Sequence, residues 1–170
     1  MSVPTQHVLF VCTGNVCRSP MAEGLFRALV ADVKTPRIEV SSAGVGAFDG
    51  QSPSRHSVTA MREEGLDISG LRSQSLTPDL VREATHIFAM ADSHRRAIQA
   101  LFPEATEKTF VLREFIVDDE FDLDVPDPIG MDLDAYLRTR NLIKEAMPSV
   151  LDFVLAHPGN HQLPDADFES

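Results

Sequence analysis

The chain has no tryptophan, one tyrosine and only two cysteines in 170 residues. Two thiols, Cys12 and Cys17, cannot build the bridge framework of a small secreted domain. Nor do they make a zinc site, because none of the six histidines stands at ligand spacing from a cysteine or from another histidine. Bases are scarce too: 15 Lys and Arg face 26 Asp and Glu, a formal net charge of −11. A nucleic-acid binder displaces phosphate counterions with a basic footprint, so this balance opposes one and leaves room only for a local pocket for a single phosphate. Long apolar runs are missing as well. Val8 to Val11 is too short for a signal segment or a membrane span, and a cytoplasmic protein without a membrane partner is expected.

What is present is ordinary globular composition, 43% hydrophobic and 24% charged, at about one domain's length. Residues 1–157 read as one domain and the polar stretch 158–170 as a frayed tail. Apolar, β-branched-rich runs predict strands at 7–11, 37–40, 86–90 and 109–112. Helical patterns lie between and after them. One starts at Pro20 with Ser19 as its cap, one spans 54–65, and one spans 79–84. Another is capped by Asp92 or Ser93 and closes before Pro103, and a long one covers 132–155, which Pro148 should kink or split. Strands separated by helices imply an α/β fold, a three-layer sandwich around a parallel sheet.

In such sheets ligands bind beyond the carboxyl ends of the strands. The first such place is Cys12-Thr13-Gly14-Asn15-Val16-Cys17-Arg18-Ser19. A short loop between strand and helix aims backbone N–H groups and a helix N-terminus at one point, which suits a phosphate. Gly14 and Asn15 are the residue types that tolerate the left-handed conformations such a curl requires. Arg18 can clamp two phosphoryl oxygens with its planar fork. No Gly-Lys-Ser/Thr follows, so this is not a nucleotide-binding P-loop. Cys12 stands at the ring's mouth, where inward N–H groups and a guanidinium favour a thiolate nucleophile. A calcium loop at Asp122-x-Asp124 fails because Pro126 fills the fifth position and the sixth carries no glycine.

The stretch from Val11 to Glu23 resembles the active-site segment of the low-molecular-weight protein tyrosine phosphatases. The likeness extends through Ser42-Ala43-Gly44, the Gly65–Leu76 segment and Asp127-Pro128, and covers about residues 7–155. It implies a four-stranded parallel sheet flanked by helices, and hydrolysis through a cysteinyl phosphate with no metal or other cofactor. By that resemblance Cys12 attacks phosphorus, Arg18 holds the phosphoryl oxygens and Asp127 is the general acid and base. Thr13, Gly14, Asn15, Val16, Cys17 and Ser19 contribute the substrate loop, and Ser42 supports Asn15. Phe48 and Ile129 form walls around the substrate, and Cys17 is a second thiol able to trap oxidised Cys12. The partners implied are phosphorylated protein substrates, with inorganic phosphate as product and a monomeric enzyme.

Two branches of that family bear on the substrate. The branch acting on phosphoarginine carries threonine where this chain has Val16, whereas an aliphatic residue goes with phosphotyrosine, as does the aromatic Phe48. Against this, the 108–115 segment and Asp127-Pro128-Ile129-Gly130 with Tyr136, Thr139 and Arg140 look more like the arginine branch. Leu71 replaces a histidine found in many relatives. Val16 carries the most weight because it borders the substrate, so phosphotyrosine is the expected substrate and protein phosphoarginine the alternative. Arsenate reduction, which relays oxidation through cysteines beyond the first loop, lacks them here. A non-catalytic phosphate-binding module would lack the nucleophile, arginine or acid that this chain keeps.

Overall fold

The computed structural model describes residues 3–117 and 122–160. In chain order it runs β1 (Gln6–Cys12), α1 (Arg18–Val30), β2 (Ile38–Gly44), α2 (Arg55–Arg62), α3 (Pro78–Glu83), β3 (His86–Ala89), α4 (Asp92–Leu101), β4 (Thr109–Val111) and α5 (Leu133–Ala156). Short 3₁₀ segments, Pro103–Lys108 and Leu112–Phe115, flank β4. The four strands are all parallel in the order β2-β1-β3-β4.

Strand β1 is central, and its apolar run has a physical reason. Val8, Phe10 and Cys12 pack with α1, α2 and α5, while Leu9 and Val11 pack with Val81 of α3, Ile87 of β3 and Ile98 of α4. Both faces are covered, so no position along the strand needs to be polar. Phe10 meets Phe26 of α1 edge-on at 5.5 Å and Phe88 of β3 at 5.8 Å, tying the sheet to its helical layer. The chain leaves β1 toward β2 and later crosses back to β3 on the other side. That reversal opens a crevice at the carboxyl end of β1, where Cys12 is the last strand residue.

Several boundaries differ from the sequence expectation. Helix α1 begins at Arg18 with Cys17 in the cap position, so Ser19 lies inside the first turn and does not cap. Its hydroxyl is engaged by the loop instead, and Pro20 is still within the first turn, where its missing N–H has no intrahelical partner to lose. Helix α4 is preceded by Ala91 without a side-chain cap, and Asp92 pairs with Arg95 and Arg96 one turn on. Helix α5 is one element across Pro148 and is not split; Asp132 caps it by accepting from Ala135 N. Strand β2 runs on to Gly44, past the expected end at Val40. Beyond α5, Gly159 N donates to Gln6 Oε1 at 2.8 Å and Gly159 O accepts from Gln6 Nε2 at 3.1 Å, which ties the start of the expected tail to β1. Residues 161–170 of that tail, and the acidic residues Asp118, Asp119 and Glu120, lie outside the described residues.

Candidate active site

Five residues, 13–17, connect β1 to α1, and the curl turns on one of them. Asn15 is the sole non-glycine among the described residues with a left-handed backbone, φ 57°. Gly14 does not share that conformation, contrary to expectation. A Cβ placed there would meet Val16 Cγ2 at 3.7 Å, an ordinary contact. The turn brings Asn15 N–H to 3.3 Å from Cys12 Sγ, with Ser19 Oγ 2.9 Å from the same sulfur. Gly44 permits the close approach of β2, because a Cβ there would sit 2.3 Å from Thr13 O.

The proton directions around Cys12 follow from a chain of partners. Glu23 is buried, and burial raises its carboxyl above the ordinary range against the opposing pull of Ser42 and Arg27. Arg27 reaches its Oε2 at 2.8 Å, and Ser42 Oγ donates to its Oε1 at 2.8 Å. With its proton committed, the Ser42 hydroxyl must accept from Asn15 Nδ2, at 2.9 Å. The other Nδ2 hydrogen goes to Ser19 Oγ at 2.7 Å, leaving the Ser19 proton free to point at Cys12 Sγ. Asn15 Oδ1 accepts from Gln74 N at 2.9 Å, and Gln74 Nε2 donates to Ser42 O. Glu23 and Gln74 lie within the Val11–Glu23 and Gly65–Leu76 stretches that carry the resemblance, but neither is given a role there, and Glu23 with Arg27 has the spacing of a surface i,i+4 pair. Gln74 supplies from the 65–76 segment a brace that Leu71 has no polar atom to give.

The acidic stretch sorts by partner. Asp127 Oδ2 lies 3.5 Å from Arg18 Nη2, and Arg18 Nη1 donates to Val125 O at 3.0 Å, so one guanidinium fastens the segment to the loop. Ile129 N donates to Asp127 Oδ1 at 3.1 Å. Asp122 pairs with Arg113, which also donates to the carbonyls of Asp122 and Asp124, and Asp124 Oδ1 accepts from Asp92 N. Asp132 is occupied as a cap. Phe48 and the Ile129 side chain stand at the surface, 75% and 63% exposed, and Val16 is half-buried.

Cys17 turns its thiol inward. Its Sγ lies 3.5 Å from Ser54 Oγ and 3.5 Å from Tyr136 Oη. Burial and Cys17 push the Tyr136 phenol up to about 12, so it stays protonated as a donor. The Cys17 carbonyl accepts from Ser57 Oγ at 3.2 Å. Both cysteines are unbridged.

His94, on the first turn of α4, is a neighbour of the loop that its sequence position does not reveal. It is buried, and its Nε2 lies 2.8 Å from Thr13 Oγ1. Burial first, then Arg18, lowers it to about 4 from 6.5, against the opposing carboxylates of Asp124 and Asp127. The folded chain therefore keeps His94 neutral where the unfolded chain takes up a proton. Its contribution to stability is complete above pH 6.5 and is lost as pH falls toward about 4. Urea unfolding at pH 7 and pH ~4.5 should show His94→Gln losing roughly 2–3 kcal/mol less than the native chain over this interval. Equal losses would assign the acid sensitivity to other groups.

A family model described as low molecular weight phosphotyrosine protein phosphatase matches residues 7–157. A protein-arginine-phosphatase of Geobacillus stearothermophilus is 40% identical over 134 residues, covering 79% of this chain and 86% of that protein. A Ralstonia solanacearum protein named a probable low molecular weight protein-tyrosine-phosphatase, EpsP, is 41% identical over 119 residues, 70% of this chain and 77% of its own. The crystal structure of a low molecular weight protein tyrosine phosphatase from T. tengcongensis superposes with a TM-score of 0.79 at 38% identity, covering 86% of this chain and 98% of that one.

Proposed function

We propose that this chain, which belongs to the low molecular weight phosphotyrosine protein phosphatase family, removes phosphate from protein phosphotyrosine through Cys12. The observation that carries the reading is the set of donors around the Cys12 sulfur: Asn15 N–H at 3.3 Å and the Ser19 hydroxyl at 2.9 Å, with Arg18 at the start of α1. Cys12 Sγ attacks phosphorus as the bond to the tyrosine oxygen breaks, and Asp127 gives its proton to that oxygen. Arg18 and the loop N–H groups stabilise the charge spread over the three equatorial oxygens. In the second step water attacks phosphorus, Asp127 takes its proton, and the S–P bond breaks to return the thiolate. The proton direction imposed from Glu23 aims Ser19 O–H at that departing sulfur. Thr13, Gly14, Val16 and Cys17 complete the loop, and Phe48 and Ile129 flank the phenyl ring. No helix among the described residues is long and apolar enough to cross a membrane, and a cytoplasmic monomer acting on phosphoproteins fits this reading.

Phosphoarginine is the second reading, favoured by the name of the 40% identical Geobacillus relative. Val16 supports phosphotyrosine because its isopropyl group offers an aromatic ring apolar contact and offers a guanidinium nothing to bond. Phosphate release from matched phosphotyrosine and phosphoarginine peptides tests it, with Cys12→Ser as the blank. Native protein should prefer phosphotyrosine, and Val16→Thr should move the ratio of kcat/KM values toward phosphoarginine by roughly tenfold, one hydrogen bond's worth. A native preference for phosphoarginine would reverse the assignment.

A further inference from the structure

Thr13 and His94 form a pair that the hydrolysis scheme does not use. They lie 81 positions apart in sequence, on the loop after β1 and on the first turn of α4, and meet at 2.8 Å through Thr13 Oγ1 and His94 Nε2. The imidazole is 4% exposed, while Thr13 is exposed one residue beyond Cys12. The second ring nitrogen, Nδ1, is buried and has no hydrogen-bond partner.

That orphan atom determines the direction of the hydrogen bond. A neutral imidazole carries one N–H, and either nitrogen can hold it. A proton on Nδ1 would leave a buried N–H unpaired, while a proton on Nε2 leaves only a lone pair unpaired. Unpaired buried N–H groups are the rarer case in folded proteins. The proton therefore sits on Nε2 and is donated to Thr13 Oγ1. The imidazolium form, which would leave Nδ1–H unpaired as well, is opposed by the nearby Arg18 cation and by burial. Asp124 and Asp127 are the carboxylates that favour it, and they do not prevail.

Once Thr13 accepts from His94, its own hydroxyl proton needs another acceptor. Among the described residues no protein atom takes it. Thr13 is exposed and adjoins Cys12, where a phosphoryl oxygen would be held. We propose that Thr13 donates its side-chain hydroxyl to an oxygen of the bound phosphoryl group, and that His94 is the positioning residue that turns the hydroxyl that way. Thr13 thus adds a side-chain donor to the backbone donors of the loop. His94 does not touch the substrate; it acts by occupying the lone pair through which Thr13 would otherwise be free to turn.

The proposal rests on the phosphatase reading for its kinetic arm but not for its binding arm. Two quantities are measured for the native protein and each variant: kcat/KM on a phenyl phosphate ester, and the dissociation constant of inorganic phosphate by calorimetry. Thr13→Val should lower kcat/KM and weaken phosphate binding by roughly tenfold, the effect of losing one donor to a charged acceptor. Thr13→Ser, which keeps the hydroxyl, should recover most of that loss. His94→Leu should reproduce the loss and add nothing to it in the Thr13→Val background, while His94→Gln, which retains an N–H donor, should recover it. Native-like binding and turnover in Thr13→Val would overturn the proposal. So would losses from Thr13→Val and His94→Leu that multiply. Should His94→Leu not fold, the Val and Ser variants of the exposed Thr13 decide alone. If native protein releases no phosphate at all, the phosphatase reading fails, and the calorimetric series still decides the role of Thr13.

Discussion

Cys12→Ser is expected to lower phosphate release by at least about 10⁴-fold while leaving the fold and anion binding in place. The oxygen of serine is close in position to the sulfur it replaces and still accepts from Asn15 N–H, which lies 3.3 Å from the thiol. What it lacks is nucleophilicity: a neutral hydroxyl has no base beside it, since Ser19 and Asn15 both offer protons. Cys17 offers no substitute, because its thiol is held between Ser54 and Tyr136. The check is steady-state turnover together with calorimetric phosphate binding and a thermal unfolding curve. Lost turnover with retained binding supports Cys12 as nucleophile. Activity within tenfold of native would mean that water attacks phosphorus directly and that Cys12 only shapes the loop.

Asp127→Asn is the next largest effect, a loss of about 10²–10⁴-fold for a poor leaving group. The substitution keeps an oxygen for Ile129 N–H, which lies 3.1 Å from Asp127 Oδ1, but it has no acidic proton to give. The defect should therefore depend on the ester. An alkyl or unsubstituted phenyl oxygen needs protonation as it departs, whereas an oxygen made acidic by a nitro group scarcely does. Pre-steady-state rates of cysteinyl-phosphate formation on such a pair separate two roles. A loss concentrated in the poor leaving group marks proton donation. An equal loss on both would mean that Asp127 matters through Arg18, whose guanidinium it approaches at 3.5 Å.

The parts legible in sequence are those where one local pattern has one physical cause. The apolar run of β1 reads as a central strand because both faces are covered, and the loop reads as an anion site because Asn15, Arg18 and Cys12 each supply a property the curl needs. Ser19 is instructive in the other direction. A serine before a proline looks like a helix cap, but its hydroxyl is drawn to Cys12 and Asn15, so α1 begins earlier. Pro148 likewise suggests a break that α5 does not make. Composition does not separate Asp127 from its acidic neighbours; the Asp127-Pro128 pair and the family resemblance do. In the structure the neighbours have other partners: Asp122 pairs with Arg113, Asp124 holds Asp92 N and Asp132 caps α5. His94, Glu23 and Gln74 leave no signal of their part at the site, because their partners there are remote in sequence and a fold must form before they meet.

The site divides into two materials. Cys12, Ser19, Asn15, Ser42 and Glu23 are buried and linked by hydrogen bonds, and buried Arg18 bonds Val125 O, so changing any of them disturbs its partners as well. Phe48 and Ile129 are more than half exposed and add little to the stability of the folded chain. A lineage can therefore exchange the outer residues freely and explore new phosphorylated partners without approaching the stability threshold that protects the inner ones. The enzyme's choice of target can drift quickly in evolution while its chemistry stays fixed.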